Sequence, residues 1–531
     1  MARLPVIPCL LFAGVLASVS SMGREVPLTI LHTTDIHGHV LPPITEKGGI
    51  SEGSLLRCAT VIQDIRGADK NVLLLDGGDS IQGSAESWLT RGRVVVRAME
   101  WLHYDAAVLG NHDLDWGLEP LFNLFCTSSI PLLAGNVHPE PDSGHPLPFL
   151  KPFIIKEMDG IRVAVAGLTN PGIPGWLRPE YIPGLQFSRS VMALQSMMPL
   201  IRQADPDVLI LLVHQGYTKS GEDDEANEIN AIARQFPEFD VILGGHLHWV
   251  VPGMKIGNVL YVQSGSDAQG IGRVRLAYDT VSRRVVRKEG DYLGVDAKCV
   301  EDEELKTALK ADLEKAGAYL DEVIGSAETN FGTSIKPPGN SAIQQLICAS
   351  IARASKAGIV LHGVLSDEEL APGPVRVRDI WRIIPYENRV GLAWLNPTEI
   401  KMILEESVDY YGSSHAMGVY GLEFDVDLNA EPGNRISRLR LAGGRLIHPK
   451  KRLKVAFNSH ALASAGGRYE VLRRVVEQPT SRLDLTKMDT RTAVIDYVKA
   501  KSPLTLKTYP VINMIRREEA SDRTKSLKDG L

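Results

Sequence analysis

The stretch that decides the fold is LTILHTTDIHGHV, residues 28 to 40. The β-prone run LTIL leads into Asp35, and His37 follows two positions later. Such a run has the composition of a buried strand, and it delivers a carboxylate and an imidazole to that strand's C-terminal end. The design recurs downstream in NVLLLDGGD (71–79), AAVLGNHD (106–113), RVAVAGLTN (162–170), DVLILLVHQG (207–216), DVILGGHLH (240–248) and NVLYVQSGS (258–266). Runs that are apolar on both faces and bounded by Gly, Asn, Asp or Pro predict central strands. Helix-length segments such as SLLRCATVIQDIR (54–66) and VVVRAMEWLH (94–103) lie between them, so the region reads as a layered α/β domain. In open α/β sheets ligands gather at the C-terminal strand ends, where these polar residues sit.

Outside this region the chain changes character. Residues 1–21 have a short basic start, an apolar run and a small-residue stretch, the pattern of a secretory signal peptide. EDEELKTALKADLEKAGAYLDEVIG (301–325) reads as an exposed connecting helix, within a linker of 291–330. Beyond it, NSAIQQLICASIARAS (340–355) and NPTEIKMILEESVDYY (396–411) are expected helices, the second with Asn396 as N-cap and Pro397 at the first helical position. GLEFDVDL (421–428) and KRLKVAFNS (451–459) are expected strands, and EVLRRVVEQ (470–478) the last helix. They make a C-terminal α+β domain over 331–515, followed by a polar tail of 516–531. A net charge of −6 gives no basic footprint for a nucleic-acid polymer, and no later stretch is long and apolar enough to span a membrane. Cys58, Cys126, Cys299 and Cys348 are widely spaced and read as buried thiols.

The polar residues at the strand ends form a set: Asp35 and His37 from TDIHGH, Asp79 from DGGDS, Asn111 and His112 from GNHDLD, His214 from VHQG, His246 and His248 from GGHLH. Burying so many His and Asp side chains together costs free energy unless they are paired or hold metal. Carboxylate, imidazole and amide oxygen suit divalent Zn, Mn, Fe or Co. The number of donors suits two ions, and Asp79 has two oxygens with which to bridge them. Two ions about 3.5–4 Å apart clamp a phosphoryl group for in-line attack.

LHTTDIHGH, DGGDSIQGS, LGNHDLDWG, VHQG and GGHLH stand in an order and spacing that resemble the calcineurin-like metallophosphoesterase superfamily, and within it the secreted 5′-nucleotidase family. The resemblance is strong over residues 28 to 280. It implies a four-layer β-sandwich flanked by helices (26–290), with a C-terminal 5′-nucleotidase domain. It also implies that Asp35, His37, Asp79 and His248 hold one ion, and Asp79, Asn111, His214 and His246 the other. His248 stands where some relatives carry Gln or Asn. His112 and Asp115 match the family's catalytic dyad, with His112 stabilising phosphoryl charge or protonating the leaving oxygen and Asp115 orienting it.

The implied activity is hydrolysis of nucleoside 5′-monophosphates by metal-bound hydroxide, in the periplasm or extracellular space. A nucleotide sugar, a 2′,3′-cyclic nucleotide or a sulfur ester are alternative substrates for the same site, and a ligand-holding scaffold without turnover is the non-enzymatic alternative. The C-terminal half departs from the family's substrate grip. Leu365 stands where an Arg is expected, Ala416 where an aromatic is expected, and AGGRYEV replaces the late GGDGF/Y segment. Arg376, Arg378, Arg468, Tyr410, Tyr411, Tyr420 and Tyr469 are candidate substitutes, and the sequence assigns none of them.

Overall fold

The computed structural model describes residues 24–42, 52–140, 147–334, 341–413, 415–506 and 512–514. The expected signal peptide and polar tail lie outside these residues. All seven runs read as central strands are strands. Glu25–Thr33, Val72–Asp76 and Ala106–Val108 lie side by side and parallel in a seven-stranded sheet. Ile161–Leu168, Val208–Val213, Val241–Gly244 and Val259–Ser264 do the same in a six-stranded sheet.

The two sheets pack face to face. Leu28, Ile30, Leu73 and Leu75 of one interdigitate with Val163, Ile210, Leu212 and Leu243 of the other in one buried cluster. Helices cover the outer faces. Leu55–Ala68 and Arg93–Trp101 pack on the first sheet, and Ser190–Gln203 and Ile229–Gln235 on the second. The result is the expected four-layer sandwich. The sequence reading passed over the edge strands Val250–Ile256 and Arg284–Gly294 and, between the latter and Glu25–Thr33, the strand Gly270–Asp279. The two edge strands are largely solvent-facing, and Gly270–Asp279 mixes arginines into its apolar run, so none stands out as a buried run.

The connecting segment differs from expectation. Its helix is Glu303–Asp321, capped by Asp302, and it is not simply exposed. Leu305, Leu309, Leu313 and Ala316 form a buried stripe, and the three leucines join the core beneath the first sheet. The spacing of four and three puts them on one helical face, which hides among the intervening charges in a linear reading. Val323–Ala327, expected to belong partly to this helix, is a strand paired with Gly373–Arg376.

The C-terminal half is α+β. A five-stranded sheet runs in the order Gly418–Tyr420, Ile359–His362, Leu453–Asn458, Arg389–Leu395, Asp484–Asp489. Helices Ala342–Ser355 and Pro397–Val408 begin with capping boxes at Ser341 and Asn396, as the sequence signals predict for the second. Glu470–Val476 is not the last helix; Thr490–Lys501 follows it, capped by Asp489. Cys126 is exposed, contrary to expectation, and Cys299 half-buried, while Cys58 and Cys348 are buried.

Candidate metal centre

The site lies beyond the C-terminal ends of the parallel strands, where each chain must turn sharply. Asp35, His37, Asp79, His246 and His248 all adopt left-handed backbone, with φ of 51°, 50°, 53°, 72° and 58°. Non-glycine residues held there cost about 1–3 kcal/mol each, and persist only where the surroundings enforce them. Here loops brace one another: Asp35 N–H donates to Gly78 O at 2.8 Å and His37 N–H to Asp79 O at 2.9 Å. Gly110 is obligatory, because a Cβ there would lie 2.1 Å from the Asp79 nitrogen. Asp113, inside GNHD, ties the two loops together by accepting from the backbone N–H groups of Asp79, Ser80, Ile81 and Gly110 at 2.9–3.1 Å. Burial, with the charge of Asp79 adding to it, pushes the Asp113 carboxyl up to about 6.

The predicted ligands converge as two triads. Ligand atoms of Asp35, His37 and His248 lie within 4.8 Å of one another, and so do those of Asp79, His214 and His246. Each triad draws on both sheets. Asn111 joins the second, its Oδ1 3.2 Å from His214 Nε2.

The ring orientations test whether cations fit. His37 Nδ1 donates to Gln82 O at 3.0 Å, which leaves a lone pair on Nε2. That lone pair faces His248 Nε2 at 3.1 Å. His214 Nδ1 donates to Gly77 O at 2.7 Å, and its Nε2 points between Asp79 Oδ2 at 3.1 Å and the Asn111 oxygen. Acceptors turned toward acceptors repel unless a proton or a cation lies between them. The donor set of imidazole, carboxylate and amide oxygen therefore fits divalent metal.

The electrostatics agree. Burial, aided by the neighbouring His248 and His112, lowers His37 to about 4, the neutral form that ligates, although Asp79 and Asp35 oppose it. Burial and the charge of His214 lower His246 to about 3. Burial also opposes the charged form of His214, yet Asp79 beside it prevails and raises it to about 10, a proton standing in the place a cation would take.

His112 lies at the rim of both triads. Its Nδ1 is 2.8 Å from Asp115 Oδ2, and its backbone N–H donates to Asp79 Oδ1 at 2.7 Å. Burial disfavours its charge, but Asp115 and Asp79 outweigh this and raise it to about 9. Asp115 does not cap the following helix, which starts after Gly117.

Other side chains close over the site. Tyr386 stacks on His112 with ring centroids 5.4 Å apart and planes 19° apart, and Trp176 packs on His246 at 4.9 Å. Gly466 N–H and the Ser464 hydroxyl reach Gly175 O at 3.3 and 3.2 Å. Half-buried His460, whose proton affinity is lowered by desolvation and by Arg468 and His112, lies on the same segment as Ser464 and Gly466.

Of the substrate candidates, Arg468 lies nearest this face, 3.4 Å from His460 Nε2. Arg376 and Arg378 instead bond Asp321 at the end of the connecting helix. Tyr469 is buried, packed edge-on against Tyr410 at 5.5 Å. Tyr420 lies on the edge strand of the five-stranded sheet. Tyr411 is packed against the C-terminal core. Tyr386, Trp176 and Asp113 were not singled out from sequence. Tyr386 lies in IIPYENRV (383–390), and Asp113 between His112 and Asp115, which were singled out.

Comparison with known proteins fits this geometry. The calcineurin-like phosphoesterase family model matches residues 28–250, and the 5′-nucleotidase C-terminal domain model matches residues 323–474. The snake venom 5′-nucleotidase of Crotalus adamanteus is 24% identical, over 80% of this chain and 78% of its own. Endonuclease YhcR of Bacillus subtilis is 24% identical over 94% of this chain, which spans only 42% of that longer protein. The crystal structure of a 5′-nucleotidase precursor from Thermus thermophilus shares the fold, with a TM-score of 0.70 at 21% identity, covering 93% of this chain and 100% of that one.

Proposed function

The chain belongs to the 5′-nucleotidase family of calcineurin-like metallophosphoesterases, metal-dependent phosphoester hydrolases, and from that premise we propose an exported dimetal enzyme that cleaves nucleoside 5′-monophosphates to nucleoside and phosphate. The observation that carries this is the pair of three-ligand clusters with the His112–Asp115 pair at their common rim.

Asp35, His37, Asp79 and His248 would hold one divalent ion, and Asp79, Asn111, His214 and His246 the other. When bound, such ions supply Lewis-acid charge and an activated water for in-line displacement at phosphorus. The chain's own contribution is order. Gln82 O and Gly77 O fix the tautomers of His37 and His214. Asp115 holds the Nδ1 proton of His112, so that Nε2–H faces the phosphoryl group. From there it neutralises charge on a phosphoryl oxygen or passes its proton to the leaving oxygen. The 331–515 half would receive the nucleoside, with Arg468 as the cation on the facing segment, and the 26–290 half would carry the chemistry.

The test is product release by the purified protein supplied with Mn²⁺, Zn²⁺ or Co²⁺. Substrates are 5′-AMP, UDP-glucose with a coupling phosphatase, 2′,3′-cyclic AMP with direct product detection, and p-nitrophenyl phosphate. Preference for 5′-AMP, lost in His112→Ala and Asp79→Ala, is the expected result. Turnover of the aryl ester alone would overturn the nucleotide assignment. No turnover with both ions bound would overturn phosphoester hydrolysis and favour a sulfur ester or a ligand-holding role.

A further inference from the structure

Two consecutive residues of the C-terminal half touch the two ends of the dyad loop. Tyr386 lies nearly parallel on the His112 imidazole. Glu387 accepts the indole N–H of Trp116, the residue after Asp115. The segment between them, His112 to Trp116, is therefore held at both ends from the opposite half of the molecule.

The PYEN turn (385–388) that presents these groups is itself anchored. Behind it lies Arg491, a buried guanidinium at 2% exposure, stacked 3.4 Å over the Trp381 ring. Its Nε donates to Ile384 O and its Nη2 to Pro385 O, both at 2.9 Å. Its Nη1 stands 3.6 Å from Glu387 Oε1, beyond hydrogen-bond distance, and so supplies counter-charge. A buried arginine in this position costs desolvation unless its partners are fixed, so it rigidifies the turn it caps. On the other side, the Arg91 guanidinium lies 5.7 Å over the Trp116 ring and closes the sandwich.

An imidazole hydrogen-bonded only through Nδ1 to Asp115 can still swing about that bond. A flat ring against its face removes this freedom, and a rigid aromatic attracts a charged imidazole. We propose that Tyr386 and Glu387 are positioning residues for the His112–Asp115 pair: Tyr386 sets the plane of the imidazole, and Glu387, through Trp116, sets the backbone that carries Asp115. The proposal rests on the phosphohydrolase assignment above and adds that the N-terminal chemistry is completed by the C-terminal half.

The experiment is steady-state hydrolysis of p-nitrophenyl phosphate by the full-length, metal-loaded protein. The aryl ester carries no nucleoside, so a residue that only contacts a base or ribose would be silent. Tyr386→Leu, which keeps apolar bulk but loses the flat face, and Glu387→Ala are expected to lower kcat about tenfold or more, as loss of an orienting partner does, with KM and metal content unchanged. Tyr386→Phe and Glu387→Gln, which keep the ring and the acceptor, are expected to restore most of kcat. The double variant Tyr386→Leu/Glu387→Ala should lose less than the product of the single losses, since both act on one loop. Undiminished kcat in the two single variants, a change confined to KM, or a loss that Phe does not rescue would overturn the proposal. Wild-type protein without turnover would overturn the phosphohydrolase assignment on which it rests.

Discussion

The two halves of this chain carry their functions in different ways. In the N-terminal half, each candidate ligand follows directly after a buried strand, in a motif a few residues long. In the C-terminal half the groups nearest the site, Tyr386, His460 and Arg468, come from separate turns, and several polar residues serve the protein itself. Arg491 braces the PYEN turn, and Arg376 and Arg378 hold the connecting helix. Chemistry that needs fixed atoms at fixed distances is built into short, strained segments. Recognition is spread over packing, and its residues can be exchanged without changing the fold.

The largest effects should therefore fall in the N-terminal half on every substrate. Asp79→Ala removes a ligand and the acceptor of the His112 N–H, so turnover of all phosphoesters should vanish and bound metal fall, as read by elemental analysis. His112→Ala should keep the metal but lose about 10²–10⁴-fold in kcat, the usual worth of a positioned acid or base. A smaller and selective effect belongs to the recognition residues of the C-terminal half, as distinct from Tyr386 and Glu387, which act on the dyad. Arg468→Ala should raise KM for 5′-AMP and leave aryl phosphate hydrolysis unchanged in the same assay. Equal losses on both substrates would break the division of labour between the halves.

Two stability measurements sharpen the contrast. Leu309→Ala opens a cavity at the seam under the first sheet and should cost about 2–5 kcal/mol in denaturant unfolding while sparing the metal triads. The smallest effect is a pH slope. In metal-free protein His112 and His214 are raised, to about 9 and about 10, above their unfolded value near 6.5. Their charged forms stabilise the fold fully below about pH 6.5, and this is lost as pH climbs through the folded values. Tm in chelator should thus fall between about pH 6.5 and 10, and His112→Asn should flatten part of the fall. Metal affinity should rise over the same window, because the ligands must be deprotonated.

Much of the N-terminal architecture was legible because its central strands are buried on both faces and leave continuous apolar runs. NVLLLD and DVLILLV are such runs, short, β-branched in part and closed by turn residues. Asp35, His37, Asp79, His214, His246 and His248 were legible as residue types at strand ends, but their grouping into triads is a matter of which loops meet, which no spacing encodes. Asp113 escaped notice because its role is to collect backbone N–H groups, and a carboxylate bonded to backbone has no sequence signature. The strands Val250–Ile256, Gly270–Asp279 and Arg284–Gly294 and the helix Thr490–Lys501 escaped for a related reason: partial exposure mixes polar residues into their patterns. The connecting helix was misjudged because a narrow apolar stripe is sparse along a charged sequence.

Each triad takes members from both sheets: Asp35 and His37 with His248, and Asp79 with His214 and His246. A polypeptide is made from its N-terminus, and neither triad can exist before His246 and His248 have emerged and the strand Val241–Gly244 has docked. Any truncated product ending earlier lacks both triads, and lacks as well the strands Gly270–Asp279 and Arg284–Gly294 of the first sheet. The donor set is thus complete before the midpoint of the 531-residue chain, while four strands of the two sheets, from Val250–Ile256 to Arg284–Gly294, are still to be made.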